Sequence, residues 1–262
     1  MDTGDGWDFT GRVVLVTGGT RGIGAAIAEA FLGAGAEVVV CGRSAPGAPP
    51  SAGGRSAVFV PADVRDPVAA GAPVTAAVER YGRLDVLVNN AGGSPDADAA
   101  TVSPRFVEKV VALNLLAPFY VSQAACRVMR AQESGGAIVN IGSVSAHDPQ
   151  PGTAAYSAAK AGLLALTRAL ALEWAPAVRV NHITTGPVRT PDAAAVYGAE
   201  GVAAVAEVVP MRRMAEPEDV ARACLFLASG LSGHVSGADL AVHGGGEFPA
   251  RYLAVRRADG TL

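Results

Sequence analysis

The chain has 262 residues, half of them hydrophobic, and a formal charge of −3. Such a length allows one large α/β domain or two small ones, and no shift in composition divides it. The slight acidity argues against an electrostatic nucleic-acid or membrane-surface binder, and no apolar run approaches the roughly 18 residues of a membrane span.

The acidic, polar start Met1-Asp2-Thr3-Gly4-Asp5-Gly6 lacks the basic and apolar parts of a signal peptide. Cys41, Cys126 and Cys224 are few, odd in number and far apart, and the four histidines are scattered. The expectation is a cytoplasmic protein with reduced thiols and no metal site.

Along the chain, short Val/Ile/Leu runs alternate with helical stretches, the rhythm of a parallel sheet wrapped by helices. Strands are expected at 12–17, 37–41, 57–60, 84–89, 137–141 and 178–183, with a short last one at 239–242. Helices are expected at 23–32, 68–81, 104–131, 154–174 and 217–229. Gly82, Gly135-Gly136 and Pro176 are stops, and Pro217 followed by Glu218-Asp219 is a favourable helix opening. The fold class is therefore α/β, a single doubly wound domain with a parallel sheet of about seven strands.

Two segments break the alternation. Residues 44–56, rich in Pro, Gly, Ala and Ser, read as an ordinary loop. Residues 188–214 read either as a surface excursion or as a substrate lid, since ligands of such sheets bind beyond the carboxyl ends of the strands; the lid is preferred. The tail 247–262 carries Arg251, Arg256 and Arg257 among apolar residues and reads as frayed or as a cover for a neighbouring subunit.

The chemistry concentrates in a few motifs. The first strand runs into Thr17-Gly18-Gly19-Thr20-Arg21-Gly22-Ile23-Gly24 and then an Ala-rich helix. A strand, a glycine turn and a helix N-terminus present free N–H groups to a pyrophosphate. No Gly-Lys-Ser/Thr follows, which disfavours a Walker loop. The chain has two lysines, Lys109 and Lys160, and the second stands four residues after Tyr156. On a helix that spacing stacks the two side chains, and a nearby ammonium is expected to lower the phenol pKa, so that the tyrosine can exchange a proton with an alcohol near neutral pH.

Together these residues resemble the short-chain dehydrogenase/reductase family over nearly the whole chain. Thr17 to Gly24 matches its TGxxxGxG cofactor motif. Asp63, in Ala62-Asp63-Val64, matches the aspartate near the adenine, and Asn89-Asn90-Ala91-Gly92 matches NNAG. Asn114, Ser143, Tyr156 and Lys160 match the family's catalytic asparagine, serine and YxxxK pair. Arg179-Val180-Asn181, with Gly186, Val188 and Thr190 downstream, resembles the stretch that clasps the nicotinamide.

The resemblance implies a Rossmann fold with strand order 3-2-1-4-5-6-7 and interconversion of a carbonyl and a secondary alcohol. Tyr156 would supply the proton and Ser143 a hydrogen bond to the same oxygen. Lys160 would also hold the nicotinamide ribose, and Asn114 would keep a water against Lys160. It further implies a homotetramer, or at least a homodimer, through the helices at 104–131 and 154–174. Family substrates include 3-oxoacyl thioesters, steroids, sugars and polyketides, and His147 and Gln150 are expected to border the pocket.

Cofactor choice rests on the end of the second strand, where NAD enzymes commonly carry an acid. Here Cys41-Gly42-Arg43-Ser44 stands instead. Arg43 and Ser44, helped by Arg21, would hold a 2′-phosphate, so NADP(H) is favoured over NAD(H). Two departures from the family stand out. The usual Pro-Gly after the sixth strand reads Thr184-Thr185-Gly186-Pro187, and 44–56 lacks the helix that relatives carry. The competing readings are a dinucleotide-binding sensor or scaffold without turnover, and a lyase or epimerase.

Overall fold

The computed structural model describes residues 7–193, 197–249 and 251–253. Its strands are β1 (Val13–Thr17), β2 (Glu37–Gly42), the short hairpin β3 (Ser51–Ala52) and β4 (Arg55–Ser56), then β5 (Val58–Pro61), β6 (Val86–Asn89), β7 (Gly136–Ile141), β8 (Val178–Thr185) and β9 (Asp239–Val242). All but the hairpin form one seven-stranded sheet, ordered β5-β2-β1-β6-β7-β8-β9, and every pair in it is parallel. This is the expected doubly wound order. The order reverses at β1, so a crevice opens beyond the carboxyl ends of β1 and β6.

Helices cover both faces, which is why the central strands are apolar throughout. On one face, α1 (Gly22–Gly33) and α7 (Pro217–Ala228) pack Ile27, Phe31, Cys224 and Leu227 against Val14, Val16 and Ile183. On the other, α2 (Ala72–Tyr81), α4 (Ala117–Arg130) and α5 (Ala154–Trp174) pack Val74, Val121, Met129 and Leu170 against Leu15, Leu87 and Ile138. Gly82 ends α2 at φ 76°, in the left-handed region that glycine tolerates. At the start of α7, Pro217 follows Glu216, whose reciprocal capping box with Asp219 satisfies free N–H groups.

Four local differences from the sequence expectation have physical reasons. The helix expected at 104–131 is α3 (Pro104–Val111), a wide π turn over Ala112–Leu116, and α4. This run is long and apolar enough to cross a membrane by length and composition, yet α4 buries Val121, Ala125 and Met129 against the sheet, as a core helix does. The stretch 44–56 is no plain loop: Gly53 and Gly54, both at positive φ, turn the hairpin β3–β4. β8 runs to Thr185, two residues further than expected, with Thr184 and Thr185 paired to Ala241 and Val242 of β9 and the N–H of Gly186 donating to the Val242 carbonyl. Finally, 188–214 contains a helix, α6 (Ala199–Val208). Residues 194–196 of that segment, and 250 and 254–262 of the tail, lie outside the described residues.

Candidate active site

A cleft of about 840 Å³ lies at the crevice. Its floor is the glycine turn between β1 and α1. Thr17 is buried below it. Its Oγ1 accepts from the N–H groups of Asn90 and Ala91, both at 3.0 Å, and Asn90 Nδ2 donates to the carbonyls of Thr17 and Gly18 at 3.0 and 3.1 Å. Gly24 has no room for a side chain: a Cβ there would collide with the Gly18 carbonyl and with Asn90 Nδ2. Gly22 sits at φ +53°, which lets the turn double back into α1. The glycines thus create a cradle open to a ligand at a helix N-terminus, and the cleft has room for a dinucleotide.

Gly18, Thr20, Arg21, Gly22, Ile23, Gly24, Arg43, Ser44, Asp63, Val64, Asn90, Ala91, Gly92, Tyr156, Lys160 and Thr190 all line the cleft. Thr17 supports it from beneath. Gly186 and Val188 do not border it. The N–H of Gly186 remains bonded to Val242 at 3.0 Å and its α-carbon packs on His243, while Val188 bridges to Ala215. The extension of β8 explains the shift: Thr185 takes the lining position instead, with its Oγ1 donating to the Gly142 carbonyl at 2.9 Å.

The end of the cleft beyond β2 carries arginines. Arg43 and Ser44 are exposed beyond β2, and Arg43 makes no ion pair among the described residues. Arg65 was not anticipated, although its spacing of two residues from Asp63 could have signalled it. It grips both Asp63 oxygens, the closest contact being 2.5 Å, and lowers the Asp63 pKa from its ordinary value. Arg21 pairs with Asp192 from the 188–214 segment, and both are largely exposed. Among the described residues, Asp63 and Asp192 are the carboxylates that line this cleft, and each is already paired with an arginine.

At the other end, α5 projects Tyr156 and Lys160. Lys160 is buried and donates to the Ile141 carbonyl at 2.7 Å, with its Nζ 5.7 Å from the centre of the Tyr156 ring. Burial lowers the Lys160 pKa to about 8. Ser143 caps the 3-10 turn Val144–Ala146, accepting from Ser145 N–H at 3.1 Å, and stands beside Tyr156, whose pKa it acts to lower. The expected lowering of the Tyr156 pKa is not met. Burial raises it, against the opposing influence of Ser143.

Asn114 sits buried in the π turn. Its Oδ1 accepts from Gly93 N–H at 2.9 Å, and its Nδ2 donates to the carbonyls of Gly93 and Val110, both at 3.0 Å. The amide is spent on the loop that carries Gly92 past Lys160, and π turns of this kind recur at functional sites. His147 and Gln150, expected at the pocket, line neither this cleft nor a smaller apolar hollow of about 210 Å³ beside Tyr156, between Val102, Phe106, Val107 and Ala155.

The comparisons with known proteins agree with this geometry. Residues 18–247 match the family model described as enoyl-(acyl carrier protein) reductase. The chain is 35% identical to a 3alpha-hydroxysteroid dehydrogenase of Mediterraneibacter gnavus, over 89% of this chain and 96% of that protein. It is 37% identical to an L-fucose dehydrogenase of Mus musculus, over 92% of this chain and 90% of that protein. The aldohexose dehydrogenase of Thermoplasma acidophilum superposes with a TM-score of 0.83 at 31% identity, over 89% of this chain and 93% of that one. The chain belongs to the short-chain dehydrogenase/reductase family, oxidoreductases that act on CH–OH groups with a nicotinamide dinucleotide.

Proposed function

We propose that the protein is an NADP(H)-dependent oxidoreductase, a ketoreductase in the reducing direction, with Tyr156 as its general acid and base. One observation carries this reading: Tyr156 and Lys160 line one end of a cleft, with Ser143 beside Tyr156, and the other end presents arginines and, among the described residues, no unpaired carboxylate. When bound, the dinucleotide supplies or takes up the hydride. The residues of the chain do the rest. Tyr156, protonated at neutral pH, donates its proton to the carbonyl oxygen. Ser143 hydrogen-bonds that oxygen as it gains negative charge. Lys160 holds a ribose hydroxyl and favours the phenolate left behind. Asn114 fixes the Gly92–Gly93 corner beside Lys160, where a water leading to solvent would be kept.

At the adenosine end, Arg43 and Ser44 would hold a 2′-phosphate, with the neighbouring Arg65 adding positive potential. The 188–214 segment would close over the substrate as a lid of a single Rossmann domain. The apolar hollow beside Tyr156 suits the hydrocarbon part of a carbonyl substrate. Three buried, unpaired cysteines support a cytoplasmic setting. Assembly into a homotetramer or homodimer is supported by exposed apolar residues on these helices, Leu116 in the π turn and Leu172 on α5. Light scattering at micromolar concentration should show more than one copy; a monomer would sink that part of the reading.

The test of function is a carbonyl panel assayed with NADPH and NADH. Turnover with NADPH preferred is expected. Binding of either cofactor with no turnover on any carbonyl or alcohol would favour the sensor or scaffold reading.

A further inference from the structure

The segment that carries Ser143 is held at both ends by side chains that the proposed chemistry does not use. β8 and β9 set His182 directly opposite Asp239. His182 is fully buried, with its Nδ1 2.8 Å from Asp239 Oδ1, and Thr184 donates to that same oxygen at 2.7 Å. The other carboxylate oxygen, Oδ2, lies 2.9 Å from Nε2 of His147, which is 43% exposed. A carboxylate only accepts, so each imidazole turns an N–H toward it. Burial pushes the Asp239 carboxyl up, but the donors His182, Thr184 and His147 outweigh it and hold the pKa below its ordinary value.

His147 stands at the far end of the short turn that Ser143 caps. At the near end, Gly142 lies flush on the His182 ring: a Cβ at Gly142 would collide with the ring's Cε1 and Nε2. That Nε2 is buried with no hydrogen-bond partner among the described residues, so the ring is held by Asp239 on one side and by packing on the other. The arch from Gly142 to His147 therefore rests on His182 at its foot and is tied to Asp239 at its end. Ser143 is inside that arch, one residue from the foot.

We propose that Asp239, acting through His147 and His182, is a positioning residue that sets the Ser143 hydroxyl against the reacting oxygen. This rests on the role proposed above for Ser143. Small displacements of a group that contacts a transition state carry large rate penalties, and the partners that orient such groups matter accordingly.

A double-mutant cycle tests it, with turnover and NADPH affinity measured on His147→Ala, Asp239→Asn, Ser143→Ala and the paired variants. His147→Ala and Asp239→Asn should each lower kcat about 10-fold. NADPH affinity should stay within about 2-fold, and once Ser143 is replaced by alanine neither change should lower kcat by more than about 2-fold. His147→Gln, which keeps a donor within reach of Asp239, should restore most of the turnover. Losses that simply multiply in the double variants would overturn the proposal while leaving the serine its role. Full turnover by Ser143→Ala would remove that role and the proposal with it. Should Asp239→Asn fail to fold, the two exposed-site variants of His147 carry the cycle alone.

Discussion

The two ends of the cleft are built on opposite principles. Around Tyr156 the polar groups are buried and fixed: Asn114 spends its amide on Gly93 and Val110, Lys160 is anchored on the Ile141 carbonyl, and Ser143 caps a turn. Around the other end, Arg43 and Arg21 are exposed, Arg43 unpaired among the described residues and Arg21 tied to Asp192 at the surface. A buried group in a low-dielectric site acts strongly and tolerates little change, whereas an exposed charge is screened by water and salt. The buried end should therefore govern turnover in large steps, and the exposed end should govern cofactor choice in small ones.

After Tyr156→Phe, Ser143→Ala gives the largest step among the variants that break the buried end. Losing one preorganised donor to a developing oxyanion lowers kcat about 10²–10³-fold, with cofactor affinity little changed. Steady-state kinetics on the variant check this, and a loss of affinity instead of kcat would blur the distinction between the two ends.

Lys160→Met probes the same end through stability. Burial holds the folded-state pKa of Lys160 at about 8, below its ordinary 10.5. Below pH 8 both states are protonated and the folded protein bears the full desolvation penalty. As pH rises from about 8 to 10.5 the unfolded state binds more protons than the folded one, so stability rises and the penalty fades. Lys160→Met should therefore stabilise the cofactor-free protein by up to about 3 kcal/mol at pH 7. The gain should disappear above about pH 10.5. Denaturant unfolding at the two pH values measures it; a gain independent of pH would mean that the lysine is not strained by burial.

The exposed end responds more weakly. Arg43→Asp should move the preference from NADPH toward NADH by about 10-fold or more, by repelling the 2′-phosphate and offering the 2′-hydroxyl an acceptor. Tighter binding of NADH than NADPH by the unmodified protein would contradict this. Asp192→Ala should have the smallest effect. It removes a surface ion pair worth less than about 1 kcal/mol, so cofactor release should change only a few-fold and the change should shrink as salt is raised.

The same contrast explains what was legible in the sequence. The parallel sheet, the glycine turn and the relation of Tyr156 to Lys160 follow from periodicity and from spacings that backbone geometry dictates, and the strand order from the family resemblance. They were readable because local rules and the fold agree. The extension of β8 through Thr185 was not, because it depends on pairing with β9 across some sixty intervening residues, and it displaced Gly186 and Val188 from the cleft wall. Nor was the direction of the Tyr156 shift. The lysine spacing suggests a lowered phenol pKa, but burial by the rest of the chain decides the sign. The pairing of His182 with Asp239 was hidden for the same reason: scattered histidines in sequence become partners only through strand register.

The most direct test of the account is Tyr156→Phe, with turnover and NADPH affinity measured on the same preparation. The ring stays, so folding and cofactor affinity should match the unmodified protein, while kcat falls about 10²–10⁴-fold with loss of the proton donor. Turnover near that of the unmodified protein would show that another group carries the proton and would contradict the account.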